Sequence, residues 1–349
     1  MQKLKGCIIG AGKQGEVHAR TLSEIPYVEV VGICDLNKSR AEELAHKYGI
    51  KEVYTDHNEM LAKSDCEFVA IVTPDHLHAQ VTIDCANAKK HVLIEKPFAT
   101  TREDIHAMLE AIERNNVRAM VDLHNRWSPP FSLAKRAIEN GDIGEVRSGY
   151  IRLNDTKYVA TDMLAWSANS SILWFLGSHS LDAITWLVNS RVEKVYSVSR
   201  EGVLKNLGVD TVDMYQTTLE FENGAIVQME NSWITPNGNT AIIDFKCNVL
   251  GAEGMINVNT SSHDLIQITN ETKTVTPDIL AKPIVEDKMV GFSSNSIRSF
   301  IDRLIDGKPF LVSVQEASNT ALAIIAILES ANTGKAVKVQ YEHSLASKG

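Results

Sequence analysis

The chain has 349 residues, 44% hydrophobic and 23% charged, with 35 Lys and Arg against 44 Asp and Glu for a formal charge of -9. That length predicts two domains whose cores need neither disulfide nor metal, and the composition excludes a disordered chain. The acidic balance argues against nucleic acid or an anionic membrane as partner, and the longest wholly apolar run, Ala321 to Leu328, falls short of the roughly 20 residues that cross a bilayer.

Lys3 and Lys5 precede an apolar run that breaks at once on Gly10-Ala11-Gly12 with no cleavage site, so no secretory signal is read there. Cys7, Cys34, Cys66, Cys85 and Cys247 are scattered and odd in number, with no Cys-x-x-Cys, which fits packed thiols in a reducing compartment and a cytoplasmic protein. The first third alternates strand-like runs (Leu4 to Ile9, Val28 to Cys34, Phe68 to Val72, His91 to Ile94, Ala119 to Leu123) with helical stretches at Gly15 to Ser23, Arg40 to Lys47, His78 to Ala88 and Arg102 to Asn115. This succession predicts a doubly wound parallel sheet, and the near-continuous apolar strands predict helices on both faces.

After His124 the texture changes. Pro129-Pro130 marks a break, Phe131 to Asn140 reads as one helix, and the chain from Gly144 is strand-rich. Tyr215, Thr217, Leu219 and Phe221 share one strand face, and Asn223-Gly224 supplies two positive-φ residues for a tight hairpin returning as Ala225 to Trp233. Further strands are expected at Thr240 to Leu250, Met255 to Val258 and Leu265 to Thr269, giving an α+β domain with a largely antiparallel open sheet. Ile297, Phe300, Ile301 and Leu304 repeat at helical spacing; the following helix, Ala321 to Ala331, is apolar around much of its girth and is expected to pack in a core, back against the first domain. Residues 1–124 and 125–349 are thus read as two domains, with Ser344 to Gly349 a loose tail.

Gly10-Ala11-Gly12-Lys13-Gln14-Gly15 is a G-x-G-x-x-G between a strand and a helix, with Asp35 at the end of the second strand about twenty residues further on. Gly10 serves the tight turn, Gly12 admits a pyrophosphate to the backbone, and Gly15 lets helix and strand pack closely. Asp35 suits the ribose hydroxyls and repels a 2′-phosphate, so NAD is favoured over NADP, with Lys38 and Arg40 close enough to permit both. Glu95-Lys96-Pro97 ends the run His91 to Ile94, where carboxyl ends of parallel strands face a ligand crevice. A lysine there can exchange a proton with a substrate oxygen if its pKa falls, although spacing alone favours a solvated strand-end lysine. His76 and His78 carry a metal-like spacing, but no third ligand stands nearby and the loop suits cofactor contact better.

These residues, with Thr73-Pro74-Asp75-His76-Leu77-His78, His124-Asn125-Arg126, Gly144-Glu145-Val146, Gly177-Ser178-His179-Ser180-Leu181-Asp182 and the late Ser330-Ala331-Asn332-Thr333-Gly334, run in order along nearly the whole chain. Together they resemble the Gfo/Idh/MocA oxidoreductases, relatives of glucose-fructose oxidoreductase and inositol dehydrogenase. The resemblance implies a Rossmann domain, then an open sheet that often joins subunits into a dimer or tetramer, and hydride transfer between nicotinamide and a hydroxyl-bearing carbon of a sugar, sugar derivative or cyclitol. It makes Lys96 the catalytic lysine and His179 its partner at the reacting hydroxyl. It gives Gly10, Gly12, Lys13, Gln14, Gly15, Asp35, Thr73, Pro74, His76, His78, Glu95, Lys96 and Asn125 to the cofactor.

The family commonly has an aspartate four residues before that histidine. Here Phe175 stands at that position, and Ser170-Ser171 replace two glycines. Asp162, on the loop Thr161 to Ala168, and Asp182 are the auxiliary acids on offer, and Phe175 suits stacking on a sugar face. Arg126 reads equally as a holder of an anionic substrate group or as a brace. Two alternatives stand beside a sugar dehydrogenase: an NAD-retaining enzyme of the same family that cleaves glycosides, and a non-catalytic dinucleotide-binding regulator.

Overall fold

The computed structural model describes residues 3–261 and 265–341. The expected tail Ser344 to Gly349 lies outside them. The chain forms two compact units, Met1–His124 with Ala281–Ser318, and Asn125–Leu280 with Asn319–Gly349.

The first unit is built on strands β1 (Leu4–Ile9), β2 (Val28–Cys34), β3 (Glu52–Tyr54), β4 (Phe68–Ile71), β5 (His91–Ile94) and β6 (Ala119–Val121). They form one parallel sheet in the order β3-β2-β1-β4-β5-β6, the Rossmann order. The crossovers are α1 (Lys13–Ser23), α2 (Lys38–Tyr48), α3 (His57–Lys63), α4 (His78–Asn87) and α5 (Arg102–Arg114). Capping chemistry sets several of their ends: Asn37, Asp56 and Thr101 accept first-turn N–H groups, and Gly49 closes α2 at φ 69°. β3 and α3 escape the apolar pattern because they are short and, in β3, only Tyr54 is buried.

The second unit opens with α6 (Pro129–Glu139) and β7 (Val146–Thr156), followed by α7 (Ser178–Val188), β8 (Val192–Arg200) and the single turn α8 (Val203–Asn206). Then come β9 (Met214–Phe221), β10 (Ile226–Thr235), β11 (Ile243–Gly251), β12 (Met255–Asn259) and a small hairpin, β13 (Ile268–Thr269) with β14 (Thr274–Val275). The β9 alternation is as expected, with Tyr215, Thr217, Leu219 and Phe221 buried. The hairpin after it is different. Gly224 has φ 86°, but Asn223 does not share the left-handed region; the turn runs Phe221 to Gly224, closed by Gly224 N–H to Phe221 O at 2.9 Å, so only its last residue needs positive φ.

Residues 281–318 then return to the first unit, which a single break after His124 does not describe. They carry the hairpin β15 (Ile284–Val285) with β16 (Lys288–Met289), the helix α9 (Phe292–Ile305) and the start of α10 (Val314–Thr333). α9 packs on the Rossmann sheet: Phe300 meets Phe68 edge-on at 5.8 Å and Tyr27 Oη donates to Asp302 at 2.5 Å. α10 carries its apolar residues from Asn319 onward into the second unit, where Ser330 Oγ accepts the Ser197 N–H on β8 at 2.9 Å.

β17 (Val337–Lys338) completes a mixed sheet in the order β12-β11-β7-β10-β9-β8-β17, in which β7 and β10 run parallel and every other neighbouring pair antiparallel. Leu173 to Leu187 is not one regular helix. Ser178 N–H donates to Leu173 O, a wide π turn over Leu173–Gly177, and regular helix begins only at Ser178.

Candidate active site

At the end of β1 the backbone is shaped by what a side chain would strike. Gly10 has φ 111° and a Cβ there would run into Val72 O, whereas a Cβ on Gly12 would meet nothing within 4 Å. Gly12 also caps α1 without any side-chain partner for the first-turn N–H groups. Open space beside a helix N-terminus is the geometry a diphosphate takes, so the residues present fit a dinucleotide. Asp35 marks the far end: its Oδ2 accepts the Ala11 N–H and its Oδ1 the Asn37 N–H, both at 2.7 Å, leaving lone pairs for ribose hydroxyls. Lys13 is exposed beside this turn. Gln14 instead turns inward, donating to Glu95 Oε1 at 3.0 Å.

The carboxyl end of β5 holds Glu95, Lys96 and Pro97, with a cis Lys96–Pro97 peptide. Lys96 is half-buried, but Glu95 is buried and points back beneath the sheet end. Its Oε1 lies 3.1 Å from His18 Nε2, and its Oε2 accepts the Lys96 N–H at 3.2 Å. Burial alone would push the Glu95 carboxyl up; the His18 hydrogen bond and the charges of His18, His124 and Lys96 outweigh it and hold it down to about 2. Glu95 is therefore an internal anion, not a ribose ligand as expected.

His78 is a second correction. Its ring is wholly buried, with Nδ1 2.7 Å from Pro97 O and Nε2 2.9 Å from Thr73 O, so it ties two loops together and has no nitrogen left for a cofactor. Burial lowers its pKa, opposed by the two carbonyls. Thr73 and Pro74 are half-buried at the β4 end, and His76 is exposed with Nδ1 3.5 Å from Asp75 Oδ1. Asn125 is buried.

Sequence reasoning missed two members of this site. His18 sits on the inner face of α1 and is fully buried, with Nε2 3.7 Å from Asp122 Oδ2 as well as bonded to Glu95. Asp122, just past β6, is also fully buried and lies 3.9 Å from His124 Nδ1. The available signal was positional: a histidine three residues after Gly15 falls on the apolar side of α1 with Ala19 and Leu22.

In the second unit Arg126 and Asp182 close on each other. Nε donates to Oδ2 at 3.1 Å and Nη2 to Oδ1 at 2.6 Å, both groups are buried, and the guanidinium lies 5.6 Å from the Trp186 ring. This is the bracing role of Arg126, with Asp182 committed as its counter-ion instead of serving as an auxiliary acid. His179 is buried near the start of α7. Phe175, half-buried on the π turn, stands between Trp166 at 6.0 Å and Trp233 at 5.9 Å, an aromatic group that presents a flat apolar face. Asp162 is exposed on a second wide turn, Val159–Met163, and accepts the Thr161 hydroxyl. Asn231, also unforeseen, is fully buried and donates to Leu153 O at 3.0 Å and Ser180 Oγ at 3.1 Å, locking α7 to the sheet.

Residues 4–123 match the sequence profile of an oxidoreductase family with an NAD-binding Rossmann fold, and residues 131–257 match the GFO/IDH/MocA C-terminal domain. The chain belongs to this oxidoreductase family, and its cofactor is NAD. Among its relatives, levoglucosan dehydrogenase of Pseudarthrobacter phenanthrenivorans is 31% identical over 77% of this chain and 76% of its own. Myo-inositol 2-dehydrogenase of Thermotoga maritima is 25% identical over 95% of this chain and 98% of its own. The crystal structure of scyllo-inositol dehydrogenase from Lactobacillus casei with NAD(H) and scyllo-inositol has the same fold, at TM-score 0.83 and 17% identity over 97% of this chain and 99% of that one.

Proposed function

We propose that the protein is a dehydrogenase of a sugar, sugar derivative or cyclitol, with Lys96 and His179 managing the proton of the reacting hydroxyl. The observation that carries this reading is the pairing, on one sheet, of the open Gly12 cradle with a half-buried lysine at the carboxyl end of β5, across the switch point between β1 and β4. The names of the relatives, acting on inositols and levoglucosan, supply the substrate class. NAD supplies the hydride acceptor when bound. Lys96, amine form, takes the hydroxyl proton; His179 holds the same hydroxyl in line; Phe175 offers its ring to the apolar face of the substrate. Asp35 disfavours a 2′-phosphate, which selects NAD over NADP. Asp162, exposed on its loop, is the candidate auxiliary acid left once Asp182 is committed to Arg126. We read it as a cytoplasmic enzyme that works as a homo-oligomer joined through the open face of its second sheet, a reading supported by its reduced, scattered cysteines.

The test is a panel of inositols, levoglucosan and related sugars with NAD and NADP at alkaline pH. Lys96→Ala is expected to bind NAD normally and lose turnover by about 100-fold or more. Unchanged turnover removes Lys96 from the chemistry, and glycoside cleavage without net NADH replaces the dehydrogenase reading.

A further inference from the structure

Two carboxylates, Glu95 and Asp122, are buried at the ends of β5 and β6. Among the described residues neither oxygen of Asp122 accepts a hydrogen bond, although the residue is wholly enclosed. A buried carboxylate left so is costly unless a positive charge stands against it. His18 Nε2 reaches both acids, at 3.1 Å from Glu95 Oε1 and 3.7 Å from Asp122 Oδ2. The other charged or titratable groups around the cluster are Lys96, following Glu95; His124, 3.9 Å from Asp122 and against the Phe292 ring of α9 at 5.4 Å; and, from α4, His78 with Asp75 beside it. Gln14, on α1, is neutral.

We propose that His18 is a positioning residue for Lys96: carried as the imidazolium between Glu95 and Asp122, it fixes the Glu95 carboxylate that accepts the Lys96 N–H and sets the net charge beneath the lysine. Two carboxylates and one imidazolium sum to one negative charge. Loss of His18 leaves two negative charges and favours the ammonium form of Lys96; loss of the Asp122 charge leaves none and favours the free amine. The proposal rests on Lys96 as the proton-transfer group, but the charge it describes can be read without turnover.

The experiment is competitive acetylation of Lys96 across pH on the NAD-bound enzyme, read by mass spectrometry. His18→Gln is expected to raise the labelling midpoint and Asp122→Asn to lower it, each by at least about half a pH unit, a roughly threefold change in labelling on the acid side. The double variant returns close to the wild-type midpoint. A merely structural role predicts lower melting temperatures without shifts of opposite sign. Unchanged midpoints in folded variants, shifts in one direction, or a stoichiometric divalent metal lost with His18→Gln overturn the proposal. If His18→Gln fails to fold, the Asp122→Asn shift decides alone. A Lys96→Ala enzyme that keeps its turnover defeats the catalytic reading of the lysine and leaves the labelling result to judge the charge.

Discussion

Arg126 and Glu95 show how differently a charge behaves once enclosed. The Arg126–Asp182 pair is bidentate and buried, so removing one partner strands the other in low dielectric. Asp182→Ala is expected to cost about 3 to 5 kcal/mol in chemical denaturation, and an apolar replacement of both partners to recover most of it. An unchanged denaturation midpoint in Asp182→Ala would mean that the pair contributes nothing. Glu95 titrates near 2, below its ordinary 4.5, so it adds stability above pH 4.5 that is lost as the pH falls toward 2. Urea midpoints measured across that window should therefore fall more steeply for the wild type than for Glu95→Gln. Neither outcome could be argued from the sequence, where Arg126 reads equally as a brace or as a holder of an anionic group and the resemblance gives Glu95 to the cofactor.

At the scale of elements, the turn into α1 separates two glycines that look alike in the motif. A side chain on Gly12 enters open space, so Gly12→Val is expected to keep the melting temperature of the free protein and to lower NAD affinity by about tenfold or more, as followed by fluorescence titration. Gly10→Ala strikes Val72 O at φ 111° and should lower the melting temperature whether or not NAD is present. Equal effects of both on stability would remove the distinction. The strand–turn–helix of this motif was legible in the residues because local propensity and cofactor geometry demand the same glycines. The π turn at Leu173–Gly177 was not, since a helical apolar spacing reads the same whether one turn holds an extra residue or none.

For the whole molecule, the second unit presents a sheet face covered by neither α6 nor α7. Its middle is polar and interlocked: Tyr150, Asn154 and Gln216 all donate to Glu230, and Arg152 pairs with Asp244 at 2.8 Å. Ile226, Leu250, Met255 and Tyr196 are exposed on the same face. The homo-oligomer proposed above would bury these side chains against a second copy of the chain, so Ile226→Arg is expected to shift its sedimentation toward monomer, and an unshifted profile would exclude this face. The chain's division into units carries a related lesson. The break at His124 could be read from the change in periodicity, but the return of residues 281–318 depends on which apolar stripe finds which partner, and α9 finds Phe68.

By itself the sequence determined the alternation of strands and helices, the glycine turn with its acidic terminus, and the family to which the chain belongs, because each of these is written in residues close together or in a fixed order. Only the tertiary structure decided that Glu95 and His78 face inward, that Asp182 answers Arg126, and that His18 and Asp122 share a buried site with Glu95. Those choices turn on desolvation: a charge removed from water must find its opposite, and the partner it finds is set by how distant strand ends are brought together.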